Sequence, residues 1–145
     1  MRLLISEILQ KVSNAKTKAE KIKLLREYNT QALRSILIWN FDESVVNALP
    51  PGIPPYRANE APPGTEHTTL EHESRLFFHF IKGGNNNLQQ TRREQMFIQM
   101  LEGLQQTEAE VLIATKERQL HKKYKITFAT VKEAFPEIVW GGRGA

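Results

Sequence analysis

Apolar residues recur along this chain at three- and four-residue intervals, and threonine, asparagine, glycine and proline interrupt them. Leu3, Leu4, Ile8 and Val12 fit one face of a first helix. Thr17 stands three residues before Glu20, the spacing at which hydroxyl and carboxylate satisfy the free amides of a helix start. Ile22, Leu24 and Leu25 give that second helix its apolar face, and Asn29 and Thr30 break it. Thr30 predicts the cap of a third helix through Leu33, Ile36, Leu37 and Trp39. Phe41, Val45, Val46 and Leu49 predict a short helical turn after Asp42. Thr68 and Glu71 open a helix through Leu76, Phe77, Phe78, Phe80 and Ile81, which Gly83-Gly84 stops. Asn85, Asn86 and Asn87 predict a turn, and Asn87 caps a helix carrying Met96, Phe97, Met100, Leu101 and Leu104. Thr107 with Glu110 opens a helix through Val111, Leu112, Ile113 and Leu120. Thr127 starts a last short helix with Val131, Ala134 and Phe135, which Pro136 closes.

Six of the seven prolines fall between Pro50 and Pro63, flanked by Gly52 and Gly64. Proline removes amide donors and fixes φ, so residues 50–66 predict an extended, semi-rigid loop across the domain. Tyr56 and Arg57, near its middle, are its candidate contacts. No alternation of the strand kind is sustained; at most 56–58 or 124–126 could pair as short extended pieces. The expectation is an all-α fold: one compact domain over residues 1–140, about six or seven helices, a proline-rich strap and a loose tail at 141–145. Its core should draw on Leu33, Ile36, Leu37, Trp39, Phe77, Phe80, Phe97, Leu101 and Leu112.

At 145 residues the chain fits one domain that folds without staples. It has no cysteine, which excludes disulfides, thiolate catalysis and cysteine-ligated metal centres. No apolar run approaches the ~18 residues a membrane span needs. Met1-Arg2-Leu3-Leu4-Ile5 imitates a signal peptide, but Ser6, Glu7, Gln10 and Lys11 break it, which predicts a cytoplasmic helix. The net charge of +4 is unevenly placed. Residues 1–27 and 116–125 are basic, whereas 42–73 carry Asp42, Glu43, Glu60, Glu66, Glu71 and Glu73 against Arg57. Basic ends around an acidic middle fit a nucleic-acid footprint, or solvated helix faces that neutralise one another in the fold.

Catalytic constellations are not spelled out. His67, His72 and His79 lie among acids, but His72 and His79 stand about 10 Å apart along a helix, too far to share one ion, and there is no HExxH. No GxSxG or phosphate-cradling loop is present. Glu71 with Glu73, and Glu108 with Glu110, point to different sides of their helices. The chain therefore reads as a non-enzyme with no catalytic residue, metal or cofactor. Lys116, Arg118, Lys122, Lys123 and Lys125 put cations on the last turns of a helix, where its negative end favours them. Phosphate contact, with Tyr124 stacking on a base, is the functional alternative. Arg92 and Arg93 open the preceding helix, where the dipole disfavours cations, and this placement hints at a partner. If 90–104 and 108–123 form a hairpin, these residues make one positive patch beside Tyr124. The connector from Gly103 to Thr107 also admits a helix-turn-helix, although ordinary helical hairpins share that pattern.

Residues 64–135 carry a further pattern. It consists of Gly64-Thr65-Glu66-His67-Thr68, Glu73-Ser74-Arg75, Lys82-Gly83-Gly84, Arg92-Arg93-Glu94, Phe97 to Glu102, Glu108-Ala109-Glu110, Leu120 to Lys125, and Glu133 to Pro136. With Leu3 to Glu7 and Lys16-Thr17-Lys18, it resembles a family of small uncharacterised proteins of T4-like tailed phages, including marine and cyanobacterial phages. Lys125-Ile126-Thr127 departs from the family pattern, which has a glycine-containing turn there. The resemblance implies expression in a host cytoplasm and carries over no catalytic residue. It suggests an interaction protein acting on replication or transcription machinery, or on nucleic acid, during infection. A virion or assembly component is the alternative. The expected partner is a phage or host protein, with nucleic acid possible and no membrane.

Overall fold

The structure, a computed structural model, describes residues 3–58 and 68–141. Arg2, Glu60, Pro62, Pro63, Gly64, Glu66, His67 and the tail beyond Gly141 lie outside the described residues, as do residues 59–66 of the predicted strap. Among the described residues the chain is all α-helical, with no strand. The helices are α1 (Ile5–Asn14), α2 (Lys18–Glu27), α3 (Gln31–Phe41), α4 (Leu70–Glu73), α5 (Gln90–Gly103), α6 (Gln106–Lys116), α7 (Leu120–Lys123) and α8 (Phe128–Ala134). A seven-residue 3-10 helix, Ser74–Phe80, continues α4.

Three predicted caps form as local chemistry dictates. Thr17 Oγ1 accepts the Glu20 amide at 3.1 Å, Thr30 Oγ1 that of Leu33 at 3.2 Å, and Thr127 Oγ1 that of Thr130 at 3.3 Å. Three others move because other partners, distant or local, hold the residues. Thr68 donates its amide to Gly103 O, so Thr69 caps α4 instead. The Thr107 hydroxyl meets Ser6 Oγ at 2.9 Å, and α6 starts two residues earlier behind Gln105. The Asn87 amide closes a turn on Asn85 Oδ1, which delays α5 to Gln90.

The helix predicted through Leu120 is broken at Arg118, a non-glycine residue with φ 56°. That conformation costs about 1–2 kcal/mol. Hydrogen bonds offset it: Arg118 Nη1 donates to Asp42 O at 2.8 Å, and the Leu120 amide to Asn40 Oδ1 at 3.0 Å. The turn of helix expected after Asp42 is also absent. Asp42 Oδ1 takes the amide and hydroxyl of Ser44, and the chain turns to pair with the end of the 3-10 helix through Ala48 N–Phe80 O and Lys82 N–Val46 O. The one isolated bridge among the described residues is Asn47–Ile81, not 56–58 or 124–126. Gly84 follows the predicted stop for a steric reason: a Cβ there would lie 1.9 Å from Phe78 O.

All nine predicted core residues are buried. Around them α6 is the central strut, packed on α1, α3, α5 and α7 and buried on nearly every side. It carries a buried charge at each end. Glu108, fully buried, accepts the Ile5 amide on Oε2 at 2.9 Å and the Leu70 amide on Oε1 at 3.0 Å. These are the first amides of α1 and α4, which have no partner inside their own helices. One carboxylate thereby fixes where two distant segments dock. Replacing Glu108 with alanine leaves two buried donors unsatisfied and should cost about 2–4 kcal/mol in urea unfolding. Glu7→Ala, which removes an exposed contact to the Leu4 amide, should cost below about 1 kcal/mol.

Candidate basic interface

The structure divides the predicted basic patch into buried clamps and free cations. Arg93 is a clamp. Its guanidinium reaches back from α5 to His79 O at 2.7 Å, Asn85 O at 2.8 Å, Leu88 O at 3.3 Å and Gln90 Oε1 at 2.6 Å. This explains a cation at a helix start without any partner. Lys116 is only 3% exposed, and its Nζ donates to Pro50 O at 3.0 Å and Gly52 O at 2.9 Å and pairs with Glu117. Arg118 is committed to Asp42. Tyr124 is 5% exposed, so it offers no open ring for a base. Burial, and then the charges of Glu110 and Glu108, push its phenol up to about 12.

The loop residues serve the fold as well. Tyr56 Oη accepts from Gln106 Nε2 at 3.2 Å, and the Arg57 amide donates to Glu102 Oε2 at 2.8 Å. The helix-turn-helix reading fails for a related reason. Its second helix, α6, is buried over seven of its eleven residues and serves as the centre of the core. His79 packs against Phe78, with ring centroids 4.0 Å apart, and meets Asn85 Nδ2 at 3.0 Å. His72 is exposed beside Arg75. Among the described residues no three acidic or histidine side chains converge as a metal-ion cluster. No described helix is long and apolar enough to cross a membrane.

Arg92, Lys122, Lys123 and Lys125 remain exposed. Arg92 stands apart on α5, which packs against α6 and the 3-10 helix. Lys125 meets the basic N-terminal region instead, and Lys122 and Lys123 lie just before it on α7. Lys21 Nζ donates to Lys125 O, and the Lys125 amide donates to Ser13 Oγ at 2.9 Å. Beside them α2 lies along α8, with Lys18 on Glu133 at 2.8 Å and Arg26 Nε on Ala134 O at 3.0 Å. Lys18, Lys21 and Lys125 thus share one composite region, and Lys122 and Lys123 precede Lys125 in the chain. Glu133 pairs with Lys18, and Glu110 lies 3.9 Å from Lys123 Nζ. Exposed pairs of this kind bind weakly and leave the lysines available.

An aromatic cluster that the spacing argument missed adjoins this region. Phe41 and Phe128 stack with centroids 5.6 Å apart and planes at 6°, and Trp140 meets Phe128 edge to face at 4.9 Å. His121 lies 6.4 Å from Phe41, and Lys132 Nζ sits 4.8 Å over the Phe128 ring. The Phe128–Lys132 spacing of four on a helix was legible. The approach of Phe41 and Trp140, far apart in sequence, was not.

The Lys116–Glu117 clamp carries a pH signature. Burial would raise the Glu117 carboxyl, but the Lys116 hydrogen bond, the Gly52 amide and the Lys116 charge outweigh it and hold it below the ordinary glutamate range. A lowered folded value stabilises the fold above the unfolded value and is lost as pH falls through the folded one. Wild type should therefore melt above Glu117→Gln at pH 7, with the gap closing below about pH 4. Thermal melts of both proteins across that range check it.

The model described as Family of unknown function (DUF6433) matches residues 8–122, from α1 to α7. No curated protein and no solved structure matches the chain. The matched span includes the central strut, its Glu108 and Lys116 ends and most of the buried core, and the chain belongs to this family of unknown function.

Proposed function

We propose that this is a phage-encoded, non-catalytic interaction protein that works in the host cytoplasm during infection by docking on the nucleic acid that replication or transcription machinery handles. The observation that carries this reading is the convergence of two basic segments, far apart in sequence, at the Lys21–Lys125 contact. Lysine is a compact charge on a flexible stem, suited to phosphate oxygens and to release of condensed counterions. The buried ionic groups Glu108, Lys116 and Arg93 hold backbone groups of the fold. That use suits a rigid binding module. The phage setting rests on the sequence resemblance.

Fluorescence anisotropy with labelled oligonucleotides tests the reading. Binding should weaken steeply with salt, and the paired change Lys122→Glu and Lys125→Glu should lower the salt slope by about 2. Arg92→Glu should change it little. Failure to bind any nucleic acid at low salt would overturn the reading, and abundant copies in purified virions would favour an assembly role instead.

A further inference from the structure

We infer that this face takes nucleic acid as a single strand, with Trp140 as the platform on which a base stacks; the inference rests on the nucleic-acid reading above. Single-strand sites combine cations that follow the phosphates with aromatic rings that accept any base face. The basic region supplies the first element, and the cluster beside it supplies the second. Tyr124, the ring that sequence spacing offers, is buried. Trp140, by contrast, is half-buried at the surface.

Two contacts and a turn make Trp140 a fixed platform. The Gly141 amide donates to Asp42 Oδ2 at 3.0 Å, and Gly141 turns the chain with φ 87°. Asp42 directly follows Phe41, so this bond anchors the C-terminal segment beside the Phe41–Phe128 stack. Phe128 then supports the indole edge to face at 4.9 Å. Pre-ordering of this kind reduces the ordering cost of binding. Phe128 itself has Phe41 stacked on it and Lys132 over its ring, which leaves Trp140 as the member suited to stacking. Lys122 follows His121 of the cluster, Lys125 precedes Phe128 by three residues, and Lys132 lies over the Phe128 ring. Lys132 therefore borders the platform for the strand's phosphates, and Lys122 and Lys125 lie close to the cluster's residues in sequence. Val139, 74% exposed beside Trp140, adds apolar surface that a base or sugar can cover.

The chain provides its own reporter. It has two tryptophans, and Trp39 is only 2% exposed, so quenching of indole fluorescence by an added strand reports Trp140. Full-length protein is titrated with an oligothymidylate and with a duplex of the same length. The single strand should quench the fluorescence and bind more tightly than the duplex. Trp140→Leu should weaken single-strand binding roughly 5- to 100-fold, the range for loss of one stacked base, while leaving duplex binding unchanged. Trp140→Phe should retain most of the affinity, and circular dichroism melts of both variants establish that they fold. Equal affinity for duplex and single strand, with Trp140→Leu folded and without effect, would overturn the inference and leave the nucleic-acid reading standing. No binding of either oligonucleotide would remove both.

Discussion

The Glu108 carboxylate holds the first backbone amides of two helices, which have no partner within those helices. α1 begins behind Leu4, which has no polar atom to offer its first turn, and the Ile5 amide would otherwise face an apolar core. A single side chain on α6 satisfies it and the Leu70 amide together. The carboxylate also sits in the first turn of α6, where the helix dipole favours negative charge, and Lys116 occupies the last turn, where it favours positive charge. Both charges agree with their own helix while binding backbone groups of distant segments. They thereby tie α1, α4 and the Pro50–Gly52 segment to the strut on which α1, α3, α5 and α7 pack.

The same arrangement decides what is left for a partner. Cations that look free in sequence are taken up by carbonyls: Arg93 by the turn before α5, Lys116 by the proline loop, Arg118 by the end of α3. Buried charges need such partners, and leaving one unpaired would cost several kcal/mol. Of the predicted patch, Arg92, Lys122, Lys123 and Lys125 remain exposed, and Lys125 lies against α2 through Lys21. The aromatic cluster beside them joins the end of α3 to the C-terminal segment through Asp42. Stability and surface chemistry are thereby separated: the strut fixes the fold, and one edge keeps mobile charge around a fixed ring.

How much of this was legible depended on range. Caps at Thr17, Thr30 and Thr127, and the core from Leu33 to Leu112, rest on contacts within a few residues or on a helical period, and they formed as expected. Thr107 was misassigned because Ser6, far along the chain, meets its hydroxyl, and Thr68 because the Gly103 carbonyl holds its amide and the helix starts one residue later. The break at Arg118 carries no glycine signal, since Asp42 stabilises it from across the fold. Lys116 and Lys122 are the same residue type six positions apart, yet one is buried and the other exposed. Nothing local separates them; only the carbonyls of Pro50 and Gly52 do.

Chemical-shift mapping of the amide and indole resonances, as a short single-stranded oligonucleotide is added at low salt, addresses the separation of strut and surface directly. The account predicts perturbations at Lys18 to Lys21, His121 to Lys132 and the Trp140 indole. Ile5, Leu70 and the Arg93 and Lys116 clamps should stay in place. Shifts centred on Arg92 and the Pro50–Pro55 loop, or spread through the core amides held by Glu108, would contradict it.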